Sequence, residues 1–117
     1  VVRCVDVDAD KVAAINAGRA PIHEEGLTEL LDRLDADQFA ATTDFDRAVV
    51  ESELTFIAVG TPAANGMIDL TYVSQAAERI GAALRRKGDY HTVVVKSTVI
   101  PGTTDGVVRT ALERGSG

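Results

Sequence analysis

Hydrophobic residues along this chain fall into short unbroken runs, and longer segments with helical periodicity lie between them. The runs are rich in β-branched residues, which favour an extended backbone, and they predict strands. Four strands are predicted, at residues 1–5, 39–42 (the weakest), 54–59 and 92–95. Apolar runs without polar alternation are typical of strands buried on both faces of a parallel sheet.

Between the runs, apolar residues recur every three or four positions and predict helices. The first helix covers residues 9–16, with Asp8 as its N-cap and Gly18 as its stop. The longest covers about residues 70–86 and is capped by Asp69. Three further helices are predicted. One covers residues 27–34, a short one capped by Asp44 runs through residue 50, and the last covers about residues 104–114, capped by Thr103 or Thr104. Alternating strands and helices predict an α/β fold, a parallel sheet with flanking helices and right-handed crossovers.

Composition narrows the class of protein. The chain has 117 residues, of which 45% are hydrophobic but only 4% aromatic, so the core must be aliphatic. That length indicates one domain over residues 1–117. The net charge of −6 argues against non-specific binding to nucleic acid or to an anionic membrane. No apolar run is long enough to span a membrane, and no leader is seen. The single Cys4 cannot form an internal disulfide, which fits the cytoplasm.

Small polar residues follow two of the predicted strands. Gly60, Thr61 and Pro62 come after the third strand, and Lys96, Ser97 and Thr98 come after the fourth. The carboxyl ends of parallel strands lie at one edge of a sheet, where open α/β folds bind ligands. Each segment alone is more simply explained as an ordinary end of a strand. Two strands that both end in a Thr-containing step make a shared ligand edge more credible.

Asp6 is the acid that follows the first strand. In dinucleotide-binding folds an acid at the end of the second strand accepts hydrogen bonds from the adenosine ribose, and it disfavours the 2′-phosphate of NADP. The simpler alternative is that Asp6 or Asp8 only caps the next helix. The same acid occurs in methyltransferases that bind S-adenosylmethionine, so a transferase stays open at this point.

The other polar candidates are weaker. His23 and His91 each stand alone in a loop, and we expect them to be solvated. Cys4 lies within a strand, where it is more simply a small core residue than a nucleophile. Glu24 and Glu25 are adjacent and as easily solvated as paired. The sequence contains no metal-ligand spacing, no P-loop and no nucleophile elbow.

Five blocks of sequence resemble the NAD-dependent nucleotide-sugar dehydrogenases, the family of UDP-glucose 6-dehydrogenase and GDP-mannose dehydrogenase. In order they are VDVDADKVAAINAGRAPIHEEGL, ATTD, AVGTP, DLTYV and VVVKSTVIPGTT, beginning at residues 5, 41, 58, 69 and 93. They cover most of the chain. One departure is Glu25, where the family usually has proline.

The resemblance implies a Rossmann-like domain that binds NAD. Asp6 matches the acid that holds the adenine ribose, and Lys11 matches a basic residue near that ribose and the pyrophosphate. The two loops that pass along NAD match Gly60, Thr61 and Pro62, and Ser97 and Thr98, with Thr98 toward the nicotinamide. Family members oxidise the primary alcohol of a UDP- or GDP-sugar twice, to the uronate, through a Cys thiolate that Cys4 does not match. The resemblance also implies a homo-oligomer.

The blocks match only part of a complete domain of that family. The family's first strand and Gly-rich loop would precede residue 1, so we expect the strands at residues 1–5 and 54–59 to lack their central neighbour. We therefore expect this piece to supply cofactor-binding elements without catalysis. Two alternatives remain, a methyltransferase-like domain and a non-catalytic assembly fragment that an oligomer completes.

Overall fold

Parallel strand pairs form the framework of the chain, as the apolar runs predicted. A computed structural model describes residues 1–64 and 66–117. It divides into two units, Val1–Ala48 and Val49–Gly117, with the division inside helix α3 (Phe45–Val50). None of the helices in the described ranges is long and apolar enough to cross a membrane.

The first unit holds one pair of parallel strands. Strand β1 (Val2–Val5) pairs with β2 (Phe39–Thr42), and Cys4 lies opposite Ala41. Helix α1 (Ala9–Asn16) follows β1 and ends before Gly18, whose φ of +71° suits glycine. A short helix α2 (Leu27–Leu31) precedes β2. The two predicted strands and the predicted helix α1 are confirmed, while α2 ends three residues earlier than predicted.

Asn16 completes the outer edge of β2. Its side-chain amide donates to the Ala41 carbonyl oxygen at 2.9 Å, and its amide oxygen accepts from the Ala41 N–H at 2.7 Å. The backbone of Gln38 and Thr42 faces β1, so that of Ala41 faces the opposite way along the alternating strand. Asn16 therefore supplies the two hydrogen bonds that a further strand would make.

The second unit holds the other parallel pair. Strand β3 (Leu54–Ile57) pairs with β6 (Thr92–Val95), in register with Ile57 opposite Val95. A small antiparallel hairpin joins β4 (Ala63–Ala64) and β5 (Met67–Ile68). The sequence predicted a turn at Asn65 and Gly66. Gly66 has a φ of +76°, and Asn65 lies outside the described residues.

Strand β3 ends two residues earlier than predicted. The N–H groups of Lys96 and Ser97 both donate to the Ile57 carbonyl oxygen, at 2.8 and 3.1 Å. Both come after the last residue of β6, so the ladder closes at Ile57 as the partner strand turns away. Residues 58 and 59 are therefore part of the loop that leads to Gly60, although they are apolar.

Two helices pack together in the second unit. Helix α4 (Thr71–Leu84) buries Val73, Ala77, Ile80 and Ala83, in agreement with the predicted face. Its N-cap residue is Leu70, and the Asp69 carboxylate accepts from the Thr71 N–H at 2.8 Å. A π-helical turn (Thr104–Val108) leads into α5 (Arg109–Ser116). The prediction that Thr103 or Thr104 caps this helix is wrong. The Thr103 backbone is already helical, and neither hydroxyl makes a capping bond.

Candidate functional site

Asp6 stands at the carboxyl end of β1 and is held there by the backbone. Its N–H donates to the Thr42 carbonyl oxygen at 3.3 Å, and its Oδ1 accepts from the Asp8 N–H at 2.9 Å. The Asp8 carboxylate accepts from the N–H groups of Asp10 and Lys11, so Asp8 is the N-cap of α1. The structure thereby separates the two acids, and capping α1 does not explain Asp6.

Lys11 lies beside the free edge of the Asp6 carboxylate. Its Nζ is 3.7 Å from Asp6 Oδ2, and the two side chains are 48% and 34% exposed. This separation indicates a weak, solvated ion pair that contributes little to stability. Asp6 Oδ2 can accept hydrogen bonds from a neighbouring diol, and Lys11 places a positive charge next to it. A ribose with two free hydroxyls has the matching chemistry.

In the second unit, side-chain hydroxyls join the two loops that follow β3 and β6. Thr61 Oγ1 donates to the Thr98 carbonyl oxygen at 2.8 Å. In the reverse direction, Ser97 Oγ donates to the Val59 carbonyl oxygen at 2.7 Å and lies 3.3 Å from that of Ile57. The two predicted loops therefore meet at the carboxyl ends of their strands, as the sequence predicted.

Three features of this edge leave room for a ligand. A Cβ added to Gly60 would meet nothing within 4 Å, and its φ is not positive, so neither packing nor backbone conformation requires glycine there. The Thr98 side chain is exposed and makes no hydrogen bond within the described residues. Lys96 and Pro62 are exposed as well. Within residues 1–64 and 66–117, Lys96 forms no ion pair.

The remaining candidates from the sequence are two histidines and a cysteine, and each has different surroundings in the structure. His23 is exposed, as expected. His91 is only partly solvated, because its ring is partly buried and contacts Thr55 and Lys87. Burial, and secondarily the nearby Asp6 charge, raises the pKa of the Cys4 thiol, which makes it a poor nucleophile. No cluster of three metal-ligating side chains occurs in the parts of the chain that the structure describes.

Sequence reasoning missed Asn16 and the loop carbonyls. Asn is a poor helix former, and its presence at the last position of α1 was the one available signal of its contact with Ala41. The carbonyls of Val59 and Thr98 gave no signal, because any residue carries a backbone carbonyl. These contacts depend on which loops the fold brings together.

The strand edge of each unit, taken by itself, offers groups that suit part of a dinucleotide. Asp6 offers a carboxylate oxygen to a diol, Gly60 leaves open space over the backbone, and Thr98 offers an unpartnered hydroxyl. Parallel strands with these features at their carboxyl ends define a dinucleotide-binding α/β domain.

Comparison with known proteins then identifies the family. The chain belongs to the UDP-glucose/GDP-mannose dehydrogenase family, and the model of that family's NAD binding domain matches residues 1–117. It is 47% identical over 114 residues to UDP-glucose 6-dehydrogenase from Haloferax volcanii. It is 46% identical over 115 residues to GDP-mannose 6-dehydrogenase from Pseudomonas aeruginosa. Each alignment covers 97% of this chain and 26% of the relative, so the chain spans about a quarter of their length.

Solved structures confirm the Rossmann-like fold class. A ternary complex of GDP-mannose dehydrogenase from Pseudomonas aeruginosa superposes with a TM-score of 0.94 at 45% identity, over 98% of this chain and 27% of that one. A UDP-glucose dehydrogenase from the archaeon Pyrobaculum islandicum gives 0.92 at 45% identity, over 99% and 28%. The predicted family and the predicted NAD cofactor are confirmed. The methyltransferase alternative receives no support from these relatives.

Proposed function

We propose that this chain is the cofactor-binding part of an NAD-dependent nucleotide-sugar dehydrogenase. The complete enzyme oxidises the primary alcohol of a UDP- or GDP-sugar to the uronate in two steps. The observation that carries the proposal is the identity of 46–47% over 97% of the chain to enzymes named for these two reactions. Relatives of both kinds match about equally well, so the proposal names both kinds of nucleotide sugar.

Each strand edge has its own role in holding the cofactor. Asp6 accepts hydrogen bonds from the adenine ribose, and Lys11 lies next to the same ribose and the pyrophosphate. Gly60, Thr61 and Pro62 form one loop along the dinucleotide, and Ser97 and Thr98 form the other. When bound, NAD supplies a hydride acceptor for each oxidation step. An acid at the ribose repels a 2′-phosphate, so NAD is preferred over NADP.

The covalent chemistry belongs to another part of the enzyme. A thiolate that holds the aldehyde stage must be deprotonated, and the pKa of Cys4 is shifted upward, away from that state. Cys4 also sits in strand β1, paired across to Ala41, and not in a loop. The domain therefore binds and orients the cofactor and leaves nucleophilic attack to the rest of the protein.

The first test is NADH formation by the full-length protein with UDP-glucose, GDP-mannose and their N-acetylated relatives. We expect two NADH for each uronate formed with one of these sugars. An enzyme that reduces NAD with none of them would overturn the proposal.

The second test addresses the ribose site. We expect Asp6→Ala to weaken NAD binding and to narrow the preference for NAD over NADP. Asp10→Ala is the matched control, since Asp10 is an exposed acid in the first turn of α1. If Asp6→Ala binds NAD and NADP each as tightly as the wild type does, Asp6 does not belong to the ribose site.

The cellular setting is proposed with the activity. The chain has a single cysteine, Cys4, which cannot form an internal disulfide, and this supports a cytoplasmic enzyme. The homo-oligomer implied by the family resemblance stays a prediction, and light scattering of the full-length protein measures it.

A further inference from the structure

The hydroxyls of Thr61 and Ser97 tie the two cofactor loops to each other. Thr61, in the loop after β3, donates to the Thr98 carbonyl oxygen in the loop after β6 at 2.8 Å. Ser97 returns a hydrogen bond to the Val59 carbonyl oxygen at 2.7 Å. Both distances are typical of well-formed O–H···O hydrogen bonds. The loops are therefore joined by two hydrogen bonds that run in opposite directions.

A side-chain hydroxyl has a single proton, and in both residues a carbonyl already takes it. The phosphate oxygens of a dinucleotide only accept hydrogen bonds. Neither Thr61 nor Ser97 can donate to them without breaking a tie between the loops. Their oxygens keep lone pairs and can still accept from a ribose hydroxyl or a carboxamide.

Thr98 differs from its neighbours. Its side chain is exposed and makes no hydrogen bond within the described residues, while its own carbonyl is fixed by Thr61. The proton of the Thr98 hydroxyl is thus available to an acceptor on a ligand. Gly60, directly before Thr61, leaves open space over the adjacent backbone.

We propose that Thr61 and Ser97 are positioning residues, which lock the two loops together and so present the Thr98 hydroxyl and the open backbone at Gly60 to the cofactor. This inference rests on the proposed NAD-binding function. The Thr98 hydroxyl is then the hydrogen-bond donor to the cofactor at this edge, and the Thr61 and Ser97 hydroxyls are not donors to it.

The tie can be measured without cofactor, by hydrogen exchange and mass spectrometry on the full-length protein. We expect Thr61→Val and Ser97→Ala each to raise exchange in both loops, near residues 58–62 and 96–99. Thr61→Ser keeps the donor and should restore the wild-type rate. Thr110→Val, an exposed threonine of α5, is the control for a general loss of stability. If hydrogen exchange is unchanged in the loop that does not carry the substitution, the two loops are not held together by these hydrogen bonds, and the inference is wrong.

NAD titration of the same variants tests the positioning role. We expect Thr61→Val to weaken NAD binding about five- to tenfold, the effect of one net hydrogen bond. Because Thr61 fixes the position of Thr98, the Thr61→Val, Thr98→Val double variant should lose less NAD affinity than the sum of the two single losses. Fully additive losses would mean that Thr61 acts independently of Thr98 and would overturn the inference.

The two proposals fail in different ways. A wild-type protein that binds no NAD would overturn the proposed function and, with it, the cofactor role assigned to Thr98. Wild-type NAD binding together with full affinity in Thr61→Val and Ser97→Ala would overturn the positioning role alone.

Discussion

Gly81 of α4 and Gly115 of α5 meet where the two helices cross, and neither position has room for a Cβ. A Cβ on Gly81 would overlap the Leu112 carbonyl oxygen, and one on Gly115 would overlap that of Glu78. The backbones of the two helices are therefore in direct contact. Arg114 joins the same helices at the surface, with Nε and Nη2 at 3.1 and 2.8 Å from the Glu78 carboxylate.

This contact predicts that alanine at either glycine destabilises the protein. Gly→Ala in a helix ordinarily stabilises by up to about 1 kcal/mol. Here the overlap forces the helices apart, and overpacking of this kind costs about 1–3 kcal/mol. We expect Gly81→Ala and Gly115→Ala each to lower the melting temperature. Gly106→Ala is the control, since a Cβ there meets nothing within 4 Å. Wild-type stability of both variants would show that the crossing adjusts freely.

At Thr103, in contrast to the two glycines, we expect a substitution that stabilises the protein. Its side chain is buried, only 3% of the residue is exposed, and its hydroxyl has no hydrogen-bond partner within the described structure. A buried polar group without a partner costs about 1–3 kcal/mol. Valine has nearly the same shape, so we expect Thr103→Val to stabilise the protein by about 1 kcal/mol in a denaturant titration.

The neighbouring threonine provides the control for Thr103. Thr104 is exposed, so its hydroxyl is solvated, and Thr104→Val should change the free energy of unfolding by less than about 0.5 kcal/mol. Destabilisation by Thr103→Val would instead reveal a buried water that bonds the hydroxyl.

Local sequence was sufficient for most elements but not for the contacts between them. Asp8 could be predicted as the cap of α1 because capping involves neighbours in sequence. The bonds from Ser97 to Val59 and from Asn16 to Ala41 join residues 38 and 25 positions apart, so no local pattern indicates them. Gly81 likewise looks like any small helical residue until α5 is placed against it. The strand ends indicated the candidate residues of the two loops, but not the hydrogen bonds that Thr61 and Ser97 make between them.

His91 makes stability depend on pH. Lys87 Nζ lies 3.3 Å from His91 Nδ1 and also donates to the Ser52 carbonyl oxygen. An ammonium only donates, so Nδ1 must accept, and the proton of the neutral ring lies on Nε2, which is 2.9 Å from Thr55 Oγ1. Burial, and then the Lys87 charge, lowers the pKa of His91 below its ordinary value of 6.5.

Because the pKa of His91 is lowered in the folded protein, folding stability decreases as the pH falls. Between the lowered pKa and 6.5 the unfolded chain binds more protons at His91 than the folded one. The stability that the neutral His91 ring contributes is therefore complete above pH 6.5, and it is lost as the pH falls through the lowered pKa of the folded state. We expect the melting temperature of His91→Gln to change less between about pH 7 and pH 5 than that of wild type. His23→Gln, in an exposed loop, should follow wild type. Parallel curves for His91→Gln and wild type would exclude this source of pH dependence.

Gly60→Ala separates ligand binding from folding. The added methyl group points into open space, and the backbone φ is one that alanine adopts, so we expect the melting temperature to stay within about 2 °C of wild type. We propose that NAD passes over this loop, and in that case the same methyl group stands in its path, so NAD affinity should fall at least about tenfold, as expected for a steric clash. Gly88→Ala is the control, because a Cβ there also meets open space but lies after α4, away from the loops that follow β3 and β6. If Gly60→Ala binds NAD as tightly as Gly88→Ala, the dinucleotide does not pass over this loop, and the glycine has no role in the site.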